Sequence, residues 1–147
     1  MRVRPDPDAT PGARSDARRA RERALALLYE AEARDLAVLD LLSRQDLRPA
    51  PLAVELIEGV AEHGAAIDDL LEQAAVDWSV ARMAPVDRAI LRIAAYELAH
   101  RPQTPAPVVL NEAVELADLY STASSGRFVN GVLATVARRL RPSGPAG

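Results

Sequence analysis

The sequence contains no cysteine and no lysine, and only five of its 147 residues are aromatic. Without cysteine, neither a disulfide framework nor a thiolate zinc site can form. No apolar run approaches the roughly 20 residues that a membrane-spanning helix needs. No apolar segment follows the N-terminal arginines, as a secretory signal would require. These absences predict a soluble cytoplasmic protein that has no membrane partner.

The apolar half of the sequence, 49% of its residues, is mostly alanine, leucine and valine. Alanine and leucine are strong helix formers, and apolar residues recur at helical spacing along most of the chain. The pattern predicts an all-α fold of about seven helices in one domain over residues 15–141. The segments 1–14 and 142–147 have little to bury and are predicted to be a disordered arm and a disordered tail.

Capping residues and prolines mark four helix starts, at Ser15, Pro85, Thr104 with Pro105, and Ser125. The first helix is predicted to take Ser15 as its N-cap and to end near Arg34. Pro85 suits a first helical turn, where a proline costs no hydrogen bond. A longer helix over residues 52–75 is predicted to kink near Gly64.

The arginines near the N-terminus are the most informative feature of the chain. Residues 1–23 hold seven arginines against four acidic residues, whereas the remainder of the chain has a net charge of -6. Such an asymmetry is typical of a site for a polyanion, and guanidinium groups match phosphate bidentately. The five clustered arginines are Arg14, Arg18, Arg19, Arg21 and Arg23.

Two interpretations of this cluster stay open on the residues alone. Charge runs at helix starts are usually solvated faces. However, the helix dipole disfavours cations in the first turn, so arginines directly after a Ser15 cap would need another reason, such as phosphate contact. Helical spacing places Arg14, Arg18 and Arg21 on one side, and Tyr29 lies near that side.

The segment SSGRFVNG, which begins at Ser124, is a second candidate contact. Ser124 and Ser125 stand at a predicted helix N-terminus, where free backbone N–H groups can hold an anion. Arg127 and Phe128 follow directly, and an aromatic ring can stack on an RNA base. The alternative is an ordinary N-cap followed by a core phenylalanine.

Nothing in the sequence argues for catalysis or for a bound metal or cofactor. Glu97 and His100 match half of a dimetal motif that needs a second Glu-x-x-His, which the sequence lacks. Glu112 and Glu115 lie one helical turn apart, but such pairs are usually surface carboxylates.

Four segments together resemble one family. ARRARERALALLYEAE, PVDRAILRIAAYEL, VLNEAVELA and FVNGVL occur in this order and spacing in the NusB transcription antitermination factors, and the resemblance covers residues 17–140. It implies an all-α fold of two small packed helical subdomains. It also implies binding of the boxA element of nascent RNA together with NusE, a ribosomal small-subunit protein. That pair helps to assemble an antitermination complex on RNA polymerase, chiefly during ribosomal RNA transcription.

The resemblance also implies which residues meet RNA. Carried over to this sequence, they are Arg14, Arg18, Arg19, Arg21, Tyr29, Ser124, Ser125, Arg127 and Phe128. The sequence departs from the family pattern at two of these positions. Many members have an acidic residue where Ser124 stands, and many have lysine where Arg127 stands. A hydroxyl at Ser124 can still donate and accept a hydrogen bond.

Partner contacts are predicted less sharply. Glu55, Glu58 and Glu62 form an acidic stripe at i, i+3 and i+7, which is a candidate dock for a basic partner. An apolar face that binds NusE could also pair two copies of the chain as a homodimer.

A protein-only interaction bundle and a metal enzyme remain the competing classes of protein. Related domains occur fused to ribosomal RNA cytosine methyltransferases, and no such domain is expected here. The prediction is a non-enzymatic RNA-binding adaptor.

Overall fold

The computed structural model describes residues 11–142. That part of the chain forms seven α-helices and no strand, so the all-α prediction of about seven helices is confirmed. The helices are α1 (Pro11–Ala33), α2 (Val38–Ser43), α3 (Pro51–Glu62), α4 (Gly64–Ala74), α5 (Pro85–His100), α6 (Ala106–Tyr120) and α7 (Ser125–Leu140). A short 3₁₀ turn, Val80–Arg82, lies between α4 and α5.

Three of the predicted helix boundaries agree with the structure. α5 begins at Pro85 and α7 begins at Ser125. The long helix over residues 52–75 is interrupted at His63, next to the predicted kink at Gly64, and forms α3 and α4.

Two predicted caps are wrong. Ser15 lies inside α1, which begins at Pro11, because a proline suits a first turn whose N–H groups have no helical partner. Thr104 does not cap α6, whose N-cap is Pro105; its side chain is buried instead. Residues 11–14 of the predicted arm therefore belong to α1. The remainder of the arm, residues 1–10, and residues 143–147 of the tail lie outside the described residues.

Helix α5 is the centre of the fold. It contacts α1, α3, α4, α6 and α7, and its buried side chains include Ile90, Leu91 and Ile93. Helices α1–α3 contact one another on one side, and α6 packs closely against α7 on the other. Two helical groups therefore meet at α5. Within residues 11–142, no helix is both long enough and apolar enough to cross a membrane.

Candidate nucleic-acid interface

One face of α1 carries Arg18, Glu22 and Tyr29, which are separated by helical spacings of four and seven residues. Arg18 is partly exposed, and its Nη2 donates a hydrogen bond of 2.7 Å to Oε2 of Glu112 on α6. It also pairs with Glu115. The hydrogen bond to Glu112 raises the pKa of the Arg18 guanidinium despite the opposing effect of burial. Arg18 therefore stays charged, and the exposed ring of Tyr29 lies about three turns further along the same face.

Arg21 is placed differently from its neighbour Arg18. It is only 3% exposed, and its Nε and Nη2 donate to the two carboxylate oxygens of Glu97 at 2.9 Å each. Its Nη1 lies 3.6 Å from Glu112. A guanidinium held in this way presents little surface to a phosphate, which favours a structural role for Arg21 over the expected RNA contact.

The remaining arginines of the cluster lie on the outside of α1. Arg14 and Arg19 are exposed, and Arg19 pairs with Asp16 one turn away. Because α1 begins at Pro11, Arg18 and Arg19 lie beyond the first turn, where the dipole effect has faded. The argument that the helix dipole penalises these arginines is therefore wrong for them.

The two serines at the start of α7 have different environments. Ser124 is exposed and makes no side-chain capping hydrogen bond. Ser125 is buried, and its hydroxyl donates a hydrogen bond of 3.0 Å to Oδ2 of Asp87 at the start of α5. Its hydroxyl anchors the turn to the core, which favours a structural role for Ser125 over the predicted RNA contact.

An aromatic groove opens beside this turn. The ring of Phe128 meets Trp78 edge to face, with ring centroids 6.3 Å apart. These two rings, together with Arg82, Ser124 and Arg127, line a cavity of about 550 Å³. Trp78 is half exposed, so its ring could receive a base.

The sequence prediction does not include Trp78 and Arg82 among the candidate contacts, because they lie in a connecting segment that has no periodic pattern. The 3₁₀ turn that follows Trp78 is fixed by Arg88 of α5. Nη1 of Arg88 donates to the carbonyl oxygens of Val80 and Met83 at 3.0 and 2.9 Å. Burial lowers the pKa of Arg88. The fold of the loop thus depends on a buried cation, which sequence spacing does not reveal.

Tyr120 joins the two candidate contacts. It ends α6, and its exposed hydroxyl donates to Glu22 on the Arg18 face of α1. This hydrogen bond raises the pKa of Tyr120. The next residue, Ser121, donates a hydrogen bond of 2.6 Å to Oδ1 of Asp87. The same carboxylate accepts the hydrogen bond of Ser125 at its other oxygen. The arginine face of α1 and the turn before α7 are therefore neighbouring parts of one surface.

The acidic stripe of α3 lies on another face. Glu55 accepts hydrogen bonds from Arg101 at 2.6 Å and from the Tyr96 hydroxyl at 3.1 Å. Burial, reinforced by Glu55, raises the pKa of Tyr96. Glu58 and Glu62 are exposed. All three carboxylates line a groove of about 510 Å³, which remains a predicted dock.

The carboxylates considered for metal binding or acid–base chemistry belong to ion pairs. Glu97 is held by Arg21, and Glu112 and Glu115 are held by Arg18. His100 stacks on His63 with ring centroids 4.1 Å apart. No group of three or more potential ligands that could hold a metal ion occurs in the described part of the chain.

The fold is that of small all-helical proteins of known structure. A T. maritima NusB structure is 36% identical with a TM-score of 0.75, over 83% of this chain and 90% of that one. A chain from a crystal structure of NusB and NusE with double-stranded RNA has a TM-score of 0.72 over 85% of this chain and 98% of that one. At 23% identity, that likeness shows the fold alone.

Relatives of known name cover most of the chain. The transcription antitermination protein NusB of Acidothermus cellulolyticus is 52% identical over 122 residues, which are 80% of this chain and 84% of that protein. The NusB of Kineococcus radiotolerans is 46% identical over 124 residues, 82% of this chain and 91% of that protein. A model of the NusB family matches residues 18–138. The chain belongs to the NusB family of transcription antitermination proteins.

Proposed function

We propose that this protein binds the boxA element of nascent RNA together with NusE and helps to assemble the antitermination complex on RNA polymerase, chiefly during ribosomal RNA transcription. The observation that carries the proposal is the joining of the Arg18 face of α1 to the Ser124 turn through Tyr120. The proposal implies a cytoplasmic location, where nascent RNA is made.

The proposed surface combines cations with exposed rings, which is how single-stranded RNA is bound. Guanidinium groups neutralise phosphates, whereas rings and hydroxyls meet the bases. The side chains proposed to meet phosphate are Arg14, Arg18, Arg19 and Arg127. Those proposed to meet bases are Tyr29, Ser124 and Phe128, with Trp78 added because it shares the groove of Phe128. Arg21 and Ser125 are left out because both are buried.

We propose the acidic stripe of α3 as the dock for NusE. The support is electrostatic, because exposed Glu58 and Glu62 beside a groove offer a negative surface to a basic protein. Replacing both with arginine should weaken NusE binding and leave binding of RNA alone unchanged. Asp69→Arg, at an exposed position of α4, is the control for added positive charge. Equal loss in both variants would contradict this dock.

An adaptor role, rather than catalysis, is supported by the ion pairs of the carboxylates. A general acid or base needs a free carboxyl group beside its substrate. Glu97 and Glu112 are instead each less than a tenth exposed and paired with arginine.

The decisive experiment is a titration of boxA RNA and of a scrambled RNA at several salt concentrations, with and without NusE. We expect preference for boxA, tighter binding with NusE, and affinity that falls with salt. Arg127→Ala should lower affinity and reduce the salt slope by about 0.7, the value for one phosphate contact on a single strand. Binding that ignores both sequence and salt would overturn the proposal.

Arg138→Ala is the matched control for Arg127→Ala. Both arginines are exposed and belong to α7. They are eleven residues apart, a distance of about 16 Å along the helix axis. The control should keep the affinity and the salt slope of the unchanged protein.

A further inference from the structure

A second groove runs between α6 and α7, next to the proposed RNA surface. Its volume is about 440 Å³, within the range of small-ligand sites. Leu110 and Val114 of α6 form part of its apolar lining, and Arg127 borders both this groove and the aromatic groove of Phe128. A strand bound across Arg127 can therefore reach both.

The polar side chains of this groove are Asn111, Asp118, Arg127 and Asn130. All four are exposed, and none has a hydrogen-bond partner among residues 11–142. They differ in this respect from Glu112 and Glu115 on the α1 side of α6, which are paired with Arg18. This groove therefore offers two amides, a carboxylate and a guanidinium to a ligand.

Asp118 determines which part of a nucleotide can enter. Its carboxylate lies against Gly126, where a Cβ atom would approach Oδ1 to 2.5 Å. A carboxylate repels phosphate at short range, whereas Arg127 at the shared border attracts it. A nucleotide would therefore place its phosphate near Arg127 and its uncharged base beside Asp118.

The donors of the base must match an acceptor-only carboxylate. Guanine presents two adjacent donors, N1–H and the 2-amino group, which can meet both oxygens of one carboxylate. Cytosine and adenine place an acceptor nitrogen next to their amino group, and uracil has a single ring donor. Asn111 and Asn130 can complete the contact, because an amide both donates and accepts.

We propose that the groove between α6 and α7 binds one unstacked guanine of the RNA, with Asp118 accepting from its N1–H and 2-amino groups. The inference rests on the proposed RNA-binding function and extends it to the recognition of one base. Leu110 and Val114 supply an apolar wall for the ring.

The test replaces each guanine of a bound boxA RNA, one at a time, with inosine, which lacks the 2-amino group. At one position we expect affinity to fall about three- to ten-fold, the loss of the one hydrogen bond that the 2-amino group donates to Asp118. Asp118→Asn should bind the guanine and inosine forms within about two-fold of each other. Asp69→Asn, at an exposed position of α4 outside this groove, should keep the discrimination.

The outcomes separate this inference from the proposed function. RNA binding that is insensitive to inosine at every guanine overturns the guanine site and leaves the RNA-binding function standing. If the Asp118→Asn variant still distinguishes guanine from inosine as well as the unchanged protein does, the guanine site is also overturned, because another residue then recognises the 2-amino group. Failure of the unchanged protein to bind RNA overturns both. As an independent readout, 6-thioguanosine at the sensitive position should cross-link to the peptide that contains Asn111 or Asn130.

Discussion

Arg21 and Glu97 meet inside the protein, where two parallel hydrogen bonds of 2.9 Å join the guanidinium to the carboxylate. The pair ties α1 to the end of α5, and Glu112 of α6 lies 3.6 Å from the same guanidinium. One arginine of the N-terminal cluster therefore holds three helices together, while Arg14, Arg19 and Arg23 are exposed. The cluster contains two kinds of arginine, and a variant of each should behave differently.

Arg21→Ala should lower the free energy of unfolding by about 3–5 kcal/mol, because it leaves the Glu97 carboxylate buried without its partner. Arg19→Ala should lower it by less than about 1 kcal/mol, since Arg19 is 71% exposed and its ion pair is screened by water. Urea unfolding followed by circular dichroism measures both. An Arg21→Ala protein of normal stability that fails only in RNA binding would contradict the structural role.

Glu115→Gln should raise RNA affinity by about two- to five-fold at low salt. Arg18 shares its charge between Glu112 and Glu115, and the Glu115 carboxylate is partly exposed, so it competes with an incoming phosphate. Loss of an exposed ion pair of this kind is worth under about 1 kcal/mol. Glu30→Gln, which removes the Arg34 pair near the end of α1, is the control. Unchanged or weaker RNA binding by Glu115→Gln would show that Arg18 does not meet phosphate.

Ser125→Ala and Ser124→Ala should separate stability from binding. Removing the Ser125 hydroxyl takes one hydrogen bond from the buried carboxylate of Asp87 and should cost about 1–3 kcal/mol of unfolding free energy. Ser124 is exposed and forms no capping bond, so its variant should unfold normally and bind RNA more weakly. Thermal unfolding and RNA titration of the two proteins decide. Equal destabilisation by both changes would contradict the assignment.

Local signals predicted most of the helices, whereas partners distant in sequence decided the roles of single residues. Pro85 starts α5 as expected. Pro11 starts α1 in the same way, although the sequence prediction names Ser15 as the N-cap of that helix. The burial of Arg21 could not be predicted, because its partner Glu97 is 76 residues away. Arg21 lies at helical spacing from Ala17 and Ala24, which are both buried, and that is the one local hint.

The candidate site shows the same limit. Phe128 and Arg127 follow a recognisable Ser/Gly turn, so the sequence alone predicts them as a candidate RNA contact. Trp78 reaches the same groove only because Arg88 fixes the loop that carries it. Ser125 and Ser124 are adjacent in the sequence, and only the position of Asp87 on α5 distinguishes their roles.

Two glycines inside helices should respond oppositely to alanine. A Cβ atom at Gly59 of α3 would lie 2.6 Å from Cδ1 of Tyr96 and closer still to Cε1 and Cζ. The ring cannot easily move aside, because its hydroxyl donates to Glu55 at 3.1 Å and its face stacks on His100. Gly59→Ala should therefore cost about 1–3 kcal/mol of unfolding free energy.

Gly131 of α7 has no atom within 4 Å of the position where a Cβ would lie. Gly131→Ala should therefore raise the free energy of unfolding by about 0.5–1 kcal/mol, because alanine loses less conformational freedom in a helix. Urea midpoints of the two variants, measured side by side, test the pair. If both changes stabilised the protein equally, the close packing of Tyr96 on α3 would be wrong. Tyr96 also lines the groove of Glu58 and Glu62, so that result would mean that the structure describes the shape of this groove incorrectly.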